Sequence, residues 1–220
     1  MNTLIENFNN LCPLCAACPV DGDCIIDEHD NENRFNVFQR LIITDFKGWQ
    51  FPHDLPNKLS ASYCRLHNPT SNNNCHKVVR LSCDSILCIE EEGKIIFYVC
   101  ELKSSYDKDQ IVHAREQIVG SYIKILALLN TLQGFDMNRI KMRGVIFAYE
   151  MNPERLSIFK NTSEIATRFC LKLYEDKIYN MPSSNCESYW YPLSCPDVKL
   201  ILITVPNLKR EHTISFKDIK

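Results

Sequence analysis

The sequence predicts a mixed α/β (α+β) fold in which helices flank a central mixed β-sheet, and three patterns near the middle of the chain lead to this prediction. Residues 77–90 and 94–105 are two β-rich runs joined by a Glu-Glu-Gly turn at Gly93, the pattern of a β-hairpin. Residues 107–132 place apolar side chains at three- and four-residue steps, as in a long amphipathic helix, and residues 143–150 follow as a buried strand. Hairpin, helix and strand in this order favour a mixed sheet with the helix packed on it.

The flanking regions supply the remaining predicted elements. In chain order they are an amphipathic helix within 31–46, loops at 47–59 and 67–76, a helical segment at 152–169, a strand at 170–175, a loop at 181–196, a strand at 198–205 and a weakly β, basic segment at 209–220. Nothing in these segments marks a domain boundary, so residues 1–220 are expected to form one domain.

The composition is that of an ordinary soluble globular protein. The chain has 220 residues, of which 45% are hydrophobic and 24% charged. Its formal net charge of -2 gives no overall basic signature, so contact with a polyanion must come from local clusters of Lys and Arg. The first residues lack the pattern of a secretion signal, and no apolar run approaches the ~18 residues of a membrane span. We therefore expect a cytoplasmic protein with no membrane partner.

The second hairpin strand ends on charged residues although it is otherwise apolar. Because side chains alternate along a strand, Glu101 and Lys103 share one face while Cys100 and Leu102 take the other. Asp84 stands where the first hairpin strand begins, and pairing of the two strands would bring it alongside. The alternative is a solvated strand end with a weak surface ion pair.

Two carboxylates and a lysine in this arrangement suit metal-dependent chemistry on phosphate. Mg2+ is commonly bound by one or two carboxylates together with waters and substrate phosphate oxygens. A lysine beside it can orient or help deprotonate the attacking water, or stabilise developing negative charge. Asp84 and Glu101 are therefore the candidate Mg2+ ligands, and Lys103 joins them as a candidate catalytic residue.

The pattern of Asp84 followed by Glu101, Leu102 and Lys103 resembles the D…ExK signature of the PD-(D/E)XK nuclease superfamily. The resemblance covers roughly residues 76–150 and implies a restriction-endonuclease-like fold with this segment as the catalytic core. Residues 1–75 and 151–220 would then be elaborations for specificity or assembly. The chain departs from the family at Cys83, where the signature has a proline.

The resemblance also implies roles for residues outside the signature. Many members carry a glutamine in the following helix, where Gln117 stands here, and it would support the metal-site geometry or the attacking water. One exonuclease-like branch has a tyrosine four residues later, whereas this chain has Ser121. Some members add a further acid near the metal, for which Glu28 or Glu32 is the candidate.

The implied function is that of a Mg2+-dependent DNA endonuclease, most like a type II restriction endonuclease, acting as a homodimer on double-stranded DNA. Specificity would come from residues 50–76 and 150–220, where cationic side chains could meet phosphates and residues 187–192 could touch bases; these cations are Lys172, Lys199, Lys209 and Arg210. The alternatives are a nuclease subunit of a larger defence or repair assembly and a non-catalytic nucleic-acid-binding scaffold of the same fold.

A second motif spaces four cysteines near the N-terminus as C-x2-C-x2-C-x5-C, namely Cys12, Cys15, Cys18 and Cys24. Short C-x2-C pairs suit a structural Zn2+ site, and iron–sulfur clusters use similar runs. Nearby residues that could complete such a site are His29, Cys64, Cys75 and His76. The alternatives remain open: these thiols could be small apolar fillers, or they could organise a zinc-dependent interaction protein.

Overall fold

The computed structural model describes residues 2–28, 38–52, 55, 57–59, 61, 81–132, 135–181, 198–206 and 209–220. Within them the fold is mixed α/β, with helices flanking a mixed sheet of eight strands. The strands are β1 (Cys18–Asp27), β2 (Arg40–Gln50), β3 (Ser85–Glu91), β4 (Lys94–Lys103), β5 (Ile140–Tyr149), β6 (Ile178–Met181), β7 (Val198–Val205) and β8 (Glu211–Ser215). The α-helices are α1 (Asn2–Leu11), α2 (Lys108–Leu129), α3 (Pro153–Lys160) and α4 (Ile165–Asp176).

The sheet combines an antiparallel half with a parallel half, in the order β1-β2-β3-β4-β5-β7-β6. Neighbouring strands from β1 to β4 are antiparallel, β5 is parallel to both β4 and β7, and β6 is antiparallel to β7. β8 lies parallel to the first half of β2. The predicted mixed sheet flanked by helices is therefore confirmed.

The hairpin of β3 and β4 turns where the sequence predicts. Glu91 pairs with Lys94, and the two residues between them, Glu92 and Gly93, have φ angles of 50° and 72°. Two consecutive positive φ values are typical of the two-residue type I′ turn that matches the twist of the flanking strands. β3 begins at Ser85 and residues 81–84 are irregular, so the first strand starts later than the apolar pattern indicates.

Helix α2 lies against β4 and β5, as predicted. Its N-cap is Asp107, whose side chain accepts a hydrogen bond from the backbone N–H of Gln110. On the sheet below, a Cβ added to Gly144 would come within 2.6 Å of Ile118 on the helix and 2.7 Å of Leu200 on β7. The glycine therefore permits the close approach of helix and sheet.

Apolar side chains cover both faces of the sheet. Phe97 and Val99 of β4 belong to the helix-side cluster, which α2 covers with residues such as Ile118. Tyr98 and Cys100 belong to the far-side cluster on the opposite face. A strand buried on both faces reads as a continuous apolar run, and this accounts for the sequence of β4.

The helix predicted within 31–46 is wrong where the structure describes it. Residues 38–39 are irregular and residues 40–46 form most of β2, while 31–37 lie outside the described residues. Leu41 and Ile43 are buried and alternate with more exposed neighbours, the period of a strand. The loop predicted at 47–59 is also partly wrong: residues 47–50 complete β2, and residues 55 and 57–59 are helical.

The strand predicted at 170–175 is also wrong, because these residues form the second half of α4. Cys170 and Leu173, three positions apart, are both buried on one face of that helix, and packing of this face decides the conformation. The helical prediction at 152–169 is confirmed but covers two helices, α3 and the first part of α4. The strand at 198–205 is confirmed as β7, and the weakly β segment contains β8 followed by a short 3-10 helix at Phe216–Asp218.

The loop predicted at 67–76 and nearly all of the loop predicted at 181–196 lie outside the described residues. In the part of the chain that is described, no helix is long and apolar enough to cross a membrane.

Candidate active site

The hairpin brings Asp84 and Glu101 opposite one another. Ser85 is the Cα partner of Cys100, so the next position on each strand places the two acids side by side on the helix side of the sheet. The Asp84 backbone N–H donates to the Cys100 carbonyl at 3.1 Å. Its carboxylate Oδ2 accepts from the Leu102 backbone N–H at 2.7 Å. The backbone and the side chain of Asp84 are thereby both hydrogen-bonded to the last residues of β4.

Lys103 links Glu101 to helix α2. Its Nζ donates to Glu101 Oε1 and, at 2.8 Å, to Gln117 Oε1. The Gln117 amide in turn donates through Nε2 to the Ser82 carbonyl at 2.9 Å. Glu101 and Lys103 are only 1% and 7% exposed, so the alternative of a solvated strand end is excluded. The structure therefore brings together all four residues that the sequence analysis selected.

The buried charges of this site are incompletely balanced. Glu101 Oε2 has no hydrogen-bond partner among the described residues. Burial raises the pKa of Glu101 well above its usual value, the charge of Asp84 raises it further, and Lys103 offsets only part of this. Burial acts to lower the pKa of Lys103, but the charge and hydrogen bond of Glu101, with Asp84, raise it. The raised pKa of Lys103 and the contribution of Asp84 to the pKa of Glu101 both reflect excess negative charge, so the site favours cations.

The donor set fits Mg2+. Glu101 Oε2 is a buried carboxylate oxygen in need of a positive partner, and Asp84 directly precedes the neighbouring strand β3. Among the described residues, no three His, Cys, Asp or Glu side chains form a group that would hold an ion alone. Two protein carboxylates completed by water and substrate oxygens are the usual environment of this ion.

A third acid acts on the same site. Glu28 follows β1, its backbone N–H donates to the Gln39 carbonyl at 2.9 Å, and its charge raises the pKa of both Glu101 and Lys103. Of the two candidates for a further acid, Glu28 therefore adds negative charge near Glu101 and Lys103. Glu32 lies outside the described residues.

Two buried polar residues of α2 were not predicted to belong to the site. Ser121 Oγ accepts from the Cys83 backbone N–H at 2.8 Å, and Lys124 Nζ donates to the Leu81 carbonyl. With Gln117 they follow steps of four and three residues, which is one face of a helix. The spacing of these three polar residues was visible in the sequence, but their burial among the mostly apolar buried positions of α2 was not.

A cavity of about 520 Å3 opens beside Asp84, which is only half-buried. Its lining combines apolar and polar side chains of β1, β2 and the segment after β2, among them Ile25, Arg40, Gln50 and Phe51. Cavities of about 300–1,000 Å3 are typical of ligand sites. Asp84 lines this cavity, so a ligand in the cavity would meet the Asp84 side of the site.

The four spaced cysteines do not converge. Cys12 and Cys15 are half-buried against the helix-side cluster, whereas Cys24 is buried in the far-side cluster and Cys18 is exposed at the start of β1. Burial raises the pKa of Cys24 to about 12, so in the absence of a metal its side chain is a thiol. A zinc or iron site that uses Cys12, Cys15 and Cys18 stays a prediction for elemental analysis. The other suggested ligands, His29, Cys64, Cys75 and His76, lie outside the described residues.

The predicted phosphate contacts belong to separate elements. Lys172 is on α4, Lys199 is on β7, and Lys209 and Arg210 precede β8. Residues 187–192, suggested to touch bases, lie outside the described residues.

Comparisons of the chain with protein-family models, with curated proteins and with solved structures found no match.

Proposed function

We propose that the protein is a Mg2+-dependent DNA endonuclease with a restriction-endonuclease-like fold. The observation that carries the proposal is Glu101, which lies opposite Asp84 and accepts from Lys103 through Oε1, while its buried Oε2 has no hydrogen-bond partner among the described residues. A structural ion pair has no need of a second acid or of an unsatisfied carboxylate oxygen, which costs about 1–3 kcal/mol or more to bury. A site that binds a cation and a phosphate needs both.

The order of elements supports the same proposal. β3 and β4 form the hairpin that carries the acids, α2 covers them, and β5 returns parallel to β4. This is the arrangement implied by the D…ExK resemblance: one acid at the start of a hairpin strand and the second acid with the lysine on the next. The cavity beside Asp84 provides room for a phosphate group.

The side chains divide the work in phosphodiester hydrolysis. Bound Mg2+ would polarise the scissile phosphate and lower the pKa of a coordinated water. Asp84 and Glu101 would hold the ion through carboxylate oxygens. Lys103 has three N–H donors, of which Glu101 and Gln117 engage two in the described structure. The third can orient the attacking water or stabilise charge that develops on the phosphate.

The mode of action proposed here is that of a type II restriction endonuclease in the cytoplasm. Double-stranded DNA has two strands to cut, and the described residues of each chain contain one such site, so we propose a homodimer. Light scattering of the protein with and without a DNA duplex tests this point, and a monomer on DNA would contradict it.

Cleavage of plasmid DNA tests the activity. The wild-type protein should cut supercoiled plasmid in Mg2+ and not in EDTA, and Asp84→Ala and Glu101→Ala should abolish cutting because each removes an ion ligand. Glu154→Ala, an exposed acid on α3, is the matched control and should cut at the wild-type rate. Equal single-turnover rates for all four proteins would refute the assignment.

The products distinguish the remaining alternatives. Discrete fragments indicate site-specific restriction, whereas a smear indicates a less specific nuclease. DNA binding without cleavage by the wild-type protein would favour the scaffold of the same fold, or a nuclease subunit that needs its assembly.

A further inference from the structure

Three polar side chains on one face of α2 hold consecutive backbone groups of the segment that leads into Asp84. The bonds are Lys124 Nζ to the Leu81 carbonyl, Gln117 Nε2 to the Ser82 carbonyl at 2.9 Å, and the Cys83 N–H to Ser121 Oγ at 2.8 Å. We call these three side chains the α2 clamp.

The α2 clamp is unusual because its polar side chains are deeply buried. Ser121 and Lys124 are 1% and 2% exposed, on a helix whose other buried positions are mostly apolar. Burial of an ammonium group is costly unless hydrogen bonds or opposite charges compensate. The compensation here includes a backbone carbonyl of residues 81–83, a segment that has no strand or helix structure of its own.

The segment held in this way determines where the Asp84 carboxylate lies. Residues 81–83 are followed directly by Asp84, and the described strand pairing begins only at Ser85. A shift of this backbone would move the carboxylate away from the Leu102 N–H and from its position opposite Glu101. We propose that Ser121 and Lys124 are positioning residues, which fix residues 81–83 so that Asp84 faces Glu101.

The consequence for catalysis rests on the proposed function, whereas the positioning itself does not. A catalytic group works within about 0.5 Å of its productive place, and a misplacement of about 1 Å can cost ~10²-fold in rate. Ser121 and Lys124 are bonded to the backbone of residues 83 and 81 and act through it on Asp84, the proposed ion ligand, so their loss should weaken ion binding more than the chemical step.

Hydrogen exchange at one amide reports the position of Asp84 directly. The Leu102 N–H donates to Asp84 Oδ2, so NMR-detected exchange of this amide should accelerate at least ~10-fold in Ser121→Ala and in Lys124→Met. The Ile146 amide on β5 serves as the internal reference for global opening. Thr167→Val is the matched control, because it removes a buried hydroxyl of α4 that donates to Glu164. It should leave the exchange rate of the Leu102 amide unchanged.

Two results would overturn the inference. Exchange at Leu102 that is unaltered in Ser121→Ala would show that the hydroxyl does not position Asp84. Equal acceleration at Leu102 and Ile146 would reveal general destabilisation. If Lys124→Met does not fold, Ser121→Ala decides the question alone.

The functional part is measured with Mg2+ titrations of plasmid cleavage. Ser121→Ala should raise the Mg2+ concentration for half-maximal rate ~10-fold, while the rate at saturating Mg2+ stays within ~3-fold of wild type. An equal loss at every Mg2+ concentration would contradict positioning of the ion ligand. A wild-type protein that cuts nothing would end the proposed function, and the exchange at Leu102 would still confirm or overturn the clamp.

Discussion

Replacement of Glu101 by glutamine should make the ion-free protein more stable at alkaline pH, although it removes one partner of a buried ion pair. Burial and the charge of Asp84 raise the pKa of Glu101 even with Lys103 present. The environment as a whole therefore favours a neutral side chain at this position. Glutamine is neutral and keeps an oxygen that accepts from Lys103, so it removes the negative charge from a position where Oε2 has no hydrogen-bond partner among the described residues.

The size of the effect follows from that single oxygen. An unsatisfied buried polar group costs about 1–3 kcal/mol, and more when it is charged; because the variant removes the charge, Glu101→Gln should raise the free energy of unfolding by about 1–3 kcal/mol at pH 8. A carboxyl with a raised folded-state pKa contributes stability that is fully present below its unfolded value near 4.5 and lost as pH rises through the folded value. The advantage of the variant should therefore be near zero at pH 4.5 and grow with pH.

Urea unfolding followed by circular dichroism measures this difference in EDTA at pH 4.5 and pH 8. Mg2+ at ~1,000 times its dissociation constant should then stabilise the wild-type protein by about 4.1 kcal/mol and the variant by much less, which reverses their order. Glu154→Gln, on the exposed surface of α3, is the control and should follow the wild-type protein. A variant less stable than wild type at pH 8 in EDTA would refute the reasoning.

Two further predictions concern the catalytic lysine and the packing of α2. Lys103→Ala should lower the cleavage rate by about 10²-fold, and Gln117→Ala should cost less because this amide acts through its bond to Lys103; equal losses in single-turnover assays would contradict that order. Gly144→Ala should destabilise the fold by about 1–3 kcal/mol, because the added Cβ meets a side-chain carbon of α2 at 2.6 Å. A thermal unfolding midpoint equal to that of wild type would show that the contact relaxes without cost.

The central elements were predictable because local signals and tertiary packing agree there. Gly93 supplies the positive φ of the hairpin turn, and Ile111, Ile118 and Ile125 repeat at the helical period on the buried face of α2. The sequence pattern of each of these elements fits only one type of secondary structure, and neighbouring elements bury the face that the pattern predicts to be apolar.

The errors occurred where one apolar pattern fitted two periods. In β2, Leu41 and Ile42 fit a helix spacing with earlier residues, but pairing with β1 on one edge and β8 on the other decides for a strand. In α4, Leu171 and Leu173 flank the polar Lys172 as in a strand, but Cys170 and Leu173 are both buried in the helix-side cluster with residues of α2. In both cases the deciding contacts come from elements outside the segment itself, so its local pattern could not indicate the right conformation.

The site was predictable in its residues and not in its environment. Asp84, Glu101, Lys103 and Gln117 were selected by residue type and spacing, and the structure brings them together. Burial of the pair depends on how α2 covers the end of β4, which the sequence does not specify. The role of Lys124 was missed because a lysine in a helix is usually exposed.

The placement of β8 has a consequence for how the protein folds. β2 pairs with β3 only at Trp49–Gln50, and along residues 40–44 the same edge is covered by residues 211–215 of β8. Thr44 Oγ1 even donates to the Ile214 carbonyl, 170 positions away. Contacts this distant in sequence form late, because closing a long loop costs chain entropy first. Before β8 docks, part of one edge of β2 presents unpaired backbone groups to other chains. A low protein concentration during folding should therefore favour soluble protein over aggregates.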